Sequence, residues 1–482
     1  LNLRPTLRFL GRLLMVLAAA EMLPVFCCLW YGEGKAALAF VATAAVTGLA
    51  GLLLSAAGDK DGELYRREGI LIVVGGWMLA SVFGAIPYVL TGTIPDPVDA
   101  LFETASGFTT TGASIMTEIE SAGRGILFWR CFTQWLGGMG IIVLFVALLS
   151  ELGPGARFLY KLEVPGPTAE TLRPRVHDTA AVLWRIYVLL SAAEIVLLMI
   201  AGLDLYDAMT HTFSTLSTGG FSPRNQSVGA LDSPLVEIIV IVFMLLAGVN
   251  FSLYYGIQRH HGRSLFADPE FRVYTYITLA ATLVITVSLT ARSYDENLSG
   301  AFLDSLFQVT SILTTTGFAT EDFDQWPNLA RVLLVGIMFI GGCAGSTAGG
   351  IKVMRLVVGL KAAFREVRLI FSPSSVLSVF VGGKAVPDNV VRSVAGFLIL
   401  FFACWATGTG LLTIGDVDLE TSASASIACL GNIGPGLGKV GPTANFAFFS
   451  SWQKIILVVL MWLGRLEVYA IAAVVSAAFW RR

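Results

Sequence analysis

Four segments of this chain align with one another without a gap, and that repeat restricts its possible folds more than any other feature. They read DALFETASGFTTTGA from Asp99, DAMTHTFSTLSTGGF from Asp207, DSLFQVTSILTTTGF from Asp304 and TSASASIACLGNIGP from Thr421. A glycine stands at the same offset in each: Gly112, Gly220, Gly317 and Gly434. Six residues before it come Ser106, Ser214, Ser311 and the diverged Ala428; four before it come Phe108, Leu216, Leu313 and Leu430. Each interval between successive glycines holds two apolar stretches. The repeated unit is therefore helix, short capped segment, helix, and two crossings per unit make all four copies point the same way across a membrane.

That a membrane is involved follows from composition. The chain has 482 residues, 55% hydrophobic and only 14% charged, where soluble domains carry roughly 25% charged residues. Apolar runs of about 20 residues alternate with short charged stretches, the pattern of spanning helices. Candidate spans lie near 8–31, 36–57, 69–91, 126–150, 180–203, 234–257, 272–290, 329–370, 390–414 and 452–480. Arg4, Arg8 and Arg12 before an apolar run imitate a secretory signal, but that run continues to Trp30, so the expectation is a retained hairpin. The basic groups Arg4/Arg8/Arg12, Arg66/Arg67, Arg157/Lys161/Arg173/Arg175, Arg259/Arg263, Lys361/Arg365/Arg368 and Arg481/Arg482 fall in alternate connections. By the positive-inside rule both termini are expected in the cytoplasm. The reading is an all-α polytopic protein: a hairpin (1–68) and four parallel repeats (69–178, 179–270, 271–386, 387–482) around one pore. No basic tract points to nucleic acid, and Cys27, Cys28, Cys131, Cys343, Cys404 and Cys429 have no metal-site spacing.

The repeated segments lie in the outward connections. Each is expected to begin with an N-cap (Asp99, Asp207, Asp304, Thr421) and to run about ten helical residues, roughly 15 Å or half the hydrocarbon core. Such a helix stops at mid-depth and returns as extended chain, tolerated there only inside protein or around a wet cavity. Four helix C-termini then direct partial negative charge at one axis. Thr110, Thr111 and Gly112, Thr218, Gly219 and Gly220, Thr315, Thr316 and Gly317, and Asn432, Ile433 and Gly434 can turn carbonyl oxygens inward, replacing the hydration shell of a hard cation. The glycine fits a position needing positive φ or close approach of strands.

On these four segments, and on FWRCFTQWLGGMGI (Phe128–Ile141), EVPGP (Glu163–Pro167), HTFSTLSTGGFSPRN (His211–Asn225), GGCAGSTAGGIK (Gly341–Lys352) and GRLEVY (Gly464–Tyr469), the chain resembles the Trk/Ktr/HKT potassium-transporter superfamily over essentially its whole length. The likeness is greatest to its bacterial TrkH-type subunits. It implies K⁺ as the transported ion, no organic cofactor, the bacterial inner membrane, a homodimer, and a cytosolic nucleotide-binding ring (TrkA-type) as partner. The family's filter glycines map onto Gly112, Gly220, Gly317 and Gly434. Only one glycine per strand stands at this offset, unlike a TVGYG filter, and the resemblance then implies fewer ion sites and looser selectivity. The fourth strand departs from the others at Asn432 and Ile433.

The stretch from about Val332 to Ile370 is nearly twice one span. Within it Gly341, Gly342, Gly345, Gly349 and Gly350, with Ser346 and Thr347, predict a helix broken at mid-membrane. The resemblance implies a gating loop here. Close helix packing by small residues is the rival reading. A phosphate loop is excluded because Ile351 separates Gly350 from Lys352. Arg465 lies deep in the last candidate span, where a charge lines a wet interior or pairs. It is expected to face the pore beneath the filter and to help hold the loop. Lys352 fits either the gate or a cytoplasmic helix end. His211 reads as a structural hydrogen-bonding residue and His260-His261 as solvated. The alternative function is a weakly selective Na⁺- or H⁺-coupled transporter, although such folds favour inverted repeats. An intramembrane enzyme would need HExxH or GxSxG, and neither occurs.

Overall fold

The computed structural model describes residues 3–58, 65–140, 176–260, 266–291 and 297–481. The chain opens with α1 (Leu3–Glu21) and α2 (Leu23–Trp30), turns at Gly32, and returns as α3 (Gly34–Ala57), packed along α1. Thr47 Oγ1 donates to Glu21 at 3.2 Å inside this hairpin, so the one carboxyl on its apolar length is hidden between helices and not presented to lipid.

The repeats follow. The first comprises α4 (Arg66–Thr91), pore helix α5 (Pro97–Phe108) and α6 (Arg124–Gly138); the second comprises α7 (Val176–Ile200), pore helix α8 (Leu205–Leu216), α9 (Pro234–Ala247) and α10 (Phe251–His260). The third has α11 (Pro269–Ala291), pore helix α12 (Leu298–Leu313), α13 (Asn328–Met338) and α14 (Val353–Phe371). A small antiparallel hairpin, β1 (Val379–Val381) and β2 (Lys384–Val386), then leads to the fourth. Val379 of this hairpin is buried with Val358, Val391 and Val394. The fourth repeat is α15 (Asp388–Thr413), pore helix α16 (Leu419–Leu430), α17 (Ser451–Arg465), α18 (Tyr469–Val475) and α19 (Ala477–Trp480).

Two expectations need correction. First, Asp99, Asp207, Asp304 and Thr421 do not cap the pore helices. The caps are Asp96, Asp204, Asn297 and Asp418, whose side chains accept from amides of the first turn. A capping side chain must lie outside the helix to reach those amides, so Asp99, Asp207 and Thr421 are already inside the first turn, and Asp304 deeper still. Pro97, directly after Asp96, marks the start of the first pore helix in the sequence. Asp99 instead pairs with Lys454 (2.6 Å) and Asp207 with Arg224 (2.5 Å), the first tying its pore helix to another repeat and the second to the chain beyond its own filter strand.

Second, the ten candidate spans are not ten continuous helices. Among the described residues six helices are long and apolar enough to cross, α1 and α2 counting together as one, and the last span is a pair, Ser451–Arg465 and Tyr469–Val475, bent by 117°. The second helix is interrupted in three repeats, between Ala247 and Phe251, between Met338 and Val353, and between Arg465 and Tyr469, while that of repeat 1 ends at Gly138 among the described residues. Only the third break was expected. The physical reason is common to all three, since these helices pass beneath the pore helices, where non-helical backbone can line a cavity. Residues 141–150 of the fourth candidate span, the basic group Arg157/Lys161/Arg173/Arg175 and the EVPGP motif lie outside the described residues.

Candidate pore and gate

All four pore helices end in the same way. The residue two before the filter glycine is left-handed in every repeat: Thr110 (φ 55°), Thr218 (55°), Thr315 (58°) and Asn432 (54°). The following amide reaches back to the helix, Thr111 N to Ser106 O, Gly219 N to Ser214 O, Thr316 N to Ser311 O and Ile433 N to Ala428 O, each at 2.8 Å. The left-handed residue's own amide bonds the next carbonyl along, as Thr110 N does to Gly107 O at 3.0 Å. This is a Schellman stop, built on threonine where glycine is usual. A β-branched residue in that region is strained by about 1–3 kcal/mol, a pattern associated with functional sites. Asparagine tolerates it better, which accounts for the divergence at Asn432.

The filter glycines are left-handed too: Gly112 (81°), Gly220 (75°), Gly317 (79°) and Gly434 (102°). Their neighbours define a closed ring. A Cβ on Gly112 would lie under 3.0 Å from the Gly219 oxygen, on Gly220 from Thr316 O, on Gly317 from Ile433 O, and on Gly434 from Thr111 O. Repeat 1 thus touches 2, 2 touches 3, 3 touches 4, and 4 returns to 1. Both reasons for glycine, handedness and close approach, apply at once. On their outer side all four glycines line one cavity of about 140 Å³.

Side chains support this ring from behind. Thr111 and Thr316 turn their hydroxyls onto Thr109 (2.8 Å) and Thr314 (2.7 Å), so within these strands it is the main chain that is left for the axis. Asn432 Nδ2 donates to Thr111 Oγ1 (2.9 Å) and Met461 O (3.0 Å), bracing strand 4 against strand 1 and α17. Three bracing residues were not anticipated. Gln134 holds strand 2, with Nε2 on Gly219 O (2.6 Å) and Oε1 accepting from Phe221 N (3.0 Å). Glu103 and Arg130 form a fully buried pair at 2.6 Å. Glu103 also accepts from Ser114 Oγ and Ile115 N, while Arg130 donates to Ser222 O (2.9 Å) and lies over the Phe221 ring. Two opposite charges in apolar helices were the available signal. Arg130→Met alone is expected to cost about 3–5 kcal/mol, lowering the melting temperature in detergent, because it strands a buried carboxylate. The double variant with Glu103→Gln should recover most of that loss.

Beneath the filter, the segment from Gly341 to Gly350 forms a buried loop between α13 and α14, closed at its base by Gly341 N on Ile351 O (2.8 Å). It meets the filter directly: Gly349 N donates to Thr315 Oγ1 at 2.7 Å. Ser346 Oγ bonds Cys343 O (2.6 Å) within the loop, and Thr347 Oγ1 bonds Ala247 O (3.1 Å) at the break in repeat 2. Arg465 ends α17 and binds three separate segments: Thr347 O (2.9 Å) in the loop, Gly137 O (2.5 Å) and Gly138 O (2.8 Å) at the end of α6, and Thr110 Oγ1 (3.3 Å) at the end of the first pore helix. Lys352 is buried, its Nζ folded back onto Ala348 O and Gly349 O, which places it with the loop. Arg355 pairs with Glu467 at 2.5 Å, linking the start of α14 to the break in repeat 4. Loop, Arg465, Glu467 and Lys352 line a cavity of about 50 Å³, room for only a few waters. His211 is buried, with Nδ1 2.8 Å from Asp207 O and Nε2 3.1 Å from Ser222 Oγ, a structural tie.

Broken second helices, four re-entrant segments meeting in a ring, and a loop under that ring define a polytopic membrane protein of the potassium-channel-like, four-repeat class. The family described as "TrkH: Cation transport protein" matches residues 36–482, and the chain belongs to that family. It is 40% identical over 490 residues to the Trk system potassium uptake protein TrkH of Halomonas elongata and 37% identical over 487 residues to that of Escherichia coli, with complete coverage of both chains in each case. The crystal structure of the potassium transporter TrkH from Vibrio parahaemolyticus superposes with a TM-score of 0.90 at 36% identity, again over 100% of each chain.

Proposed function

We propose that this chain takes up K⁺ across the bacterial inner membrane through a gated, cation-selective pore. The observation that carries the reading is the closed ring in which each filter glycine abuts the carbonyl of the next repeat. In this reading the main-chain oxygens of Thr110, Thr111 and Gly112, of Thr218, Gly219 and Gly220, of Thr315, Thr316 and Gly317, and of Asn432, Ile433 and Gly434 replace the hydration shell of the ion. Four pore-helix C-termini add favourable potential at the axis.

The loop formed by Gly341, Gly342, Gly345, Ser346, Thr347, Gly349 and Gly350, held by Arg465 and stiffened by Lys352, is the gate, and the conformation described is closed. Support comes from the bonds of Gly349 N to Thr315 and of Arg465 to Thr110, which occupy the inner ends of two filter strands. Both termini face the cytoplasm in this reading. The Arg67 guanidinium bonds Arg481 O at 2.6 Å, so the start of α4 and the chain end share one side. The working unit is a homodimer docked on a cytosolic nucleotide-binding ring, with the exposed basic end of α14 offering Arg368 to it.

Uptake of ⁸⁶Rb⁺ into proteoliposomes, with K⁺, Na⁺ and Li⁺ as competitors, tests the function. Strong competition by K⁺ and weak competition by Na⁺ is the expected result. Equal competition would leave a transporter without a potassium filter.

A further inference from the structure

The gating loop is fastened at its base by a residue from neither flanking helix. Glu270 stands in the first turn of α11, and its amide is fixed by Asp268 Oδ1 at 2.9 Å. Its side chain is buried, the residue 5% exposed. A single carboxylate oxygen, Oε1, accepts from the amide of Ala344 at 2.9 Å and from that of Met354 at 2.8 Å. Ala344 is near the start of the loop and Met354 is in the first turn of α14, just past its end. One oxygen therefore bridges the two limbs of the loop. Main-chain bonds share the work: Gly341 N to Ile351 O (2.8 Å) and Val353 N to Gly342 O (3.2 Å) also join the limbs, while Cys343 N to Gly248 O (2.8 Å) and Phe251 N to Gly345 O (3.0 Å) tie the loop to the break in repeat 2.

We propose that Glu270 is a positioning residue that latches the gate, holding the loop's two limbs together so that its tip stays beneath Thr315 and beside Arg465. It touches no filter strand, and it acts through the loop alone. Movement of α14 away from α11 breaks the Met354 bond and leaves the carboxylate on Ala344 alone, which unlinks the two limbs. A pull on α14 therefore weakens the latch. This inference rests on the gate reading above.

The test is ⁸⁶Rb⁺ uptake by the full chain in proteoliposomes, without a cytosolic partner, for Glu270→Ala and Glu270→Gln. A variant lacking residues 345–348 serves as a reference for an absent gate. In parallel, a membrane-impermeant maleimide is applied and its attachment at Cys343, a buried native thiol at the loop's start, is read by peptide mass. Glu270→Ala is expected to raise basal uptake about tenfold or more. Glu270→Gln, which retains a neutral oxygen acceptor, should raise it less. Cys343 labelling should accelerate in the same order, with the preference for K⁺ over Na⁺ unchanged.

Wild-type uptake in Glu270→Ala beside a leaky loop deletion overturns the latch and spares the gate. A loop deletion that does not leak overturns the gate reading itself. Uptake that rises without faster Cys343 labelling also overturns the latch, because the loop has not moved. Should Glu270→Ala fail to fold, Glu270→Gln decides by the same two readouts.

Discussion

Gly112→Ser is expected to collapse the preference for K⁺ over Na⁺ by at least about tenfold, a difference of about 1.4 kcal/mol between the two ions. Gly112 sits at φ 81°, and a side chain there costs roughly 1–2 kcal/mol in backbone strain alone. The greater effect is positional. The new Cβ would lie under 3.0 Å from the Gly219 oxygen, so strand 2 must shift together with the carbonyl that Gln134 holds in place. Selectivity by carbonyl oxygens depends on their number and placement about the ion, and a displacement on one strand spoils the ring for all four. Gly92 supplies the control. It has a similar φ of 74°, but a side-chain carbon added there would meet nothing within 4 Å, so Gly92→Ala should leave ion competition unchanged. Competition curves for ⁸⁶Rb⁺ uptake measure both. A wild-type K⁺/Na⁺ ratio in Gly112→Ser would remove this strand from the filter.

Arg465→Ala should open the pathway most. Arg465 joins the loop, Thr110 and the end of α6 through four hydrogen bonds, and in the proposed pore its charge would oppose a cation leaving the filter. Two like unit charges 4 Å apart repel by about 4 kcal/mol at an effective dielectric constant of about 20. Losing tether and barrier together should raise uptake without the partner by on the order of 100-fold, a more conservative figure than that repulsion alone implies. Arg465→Lys separates the two contributions, since lysine keeps the charge but not the forked geometry. A leak near that of the alanine variant would assign the gate to the tether, and near-wild-type closure would assign it to charge. An unchanged basal flux in Arg465→Ala would show that Arg465 restrains nothing.

The parts legible in the sequence share a physical cause: each is written in local composition. Length and polarity of apolar runs reveal a membrane chain, and a glycine at a constant offset reveals four equivalent strands. Five glycines between Gly341 and Gly350 reveal a break, because helix propensity is local. A lone charge such as Arg465 in an apolar run announces an interior position, because hydrocarbon will not accept it. The capping assignment failed for a local reason as well: Asp96-Pro97 and Asp99 compete as start signals within one turn, and only the direction of the first-turn amides separates them.

What the sequence determined by itself was the class, the repeat and its four equivalent glycines, since periodicity and the cost of polar groups in lipid act residue by residue. Tertiary structure alone decided the closure of the ring, the breaks in the second helices of repeats 2 and 4, the left-handed threonines, and the contacts of Gln134, Glu103, Arg130 and Glu270. Each of these depends on which carbonyl or carboxylate from a distant segment comes within hydrogen-bonding reach. Glu270 and Met354 are far apart along the chain and 2.8 Å apart between Oε1 and amide nitrogen in the fold, and no local pattern encodes that encounter.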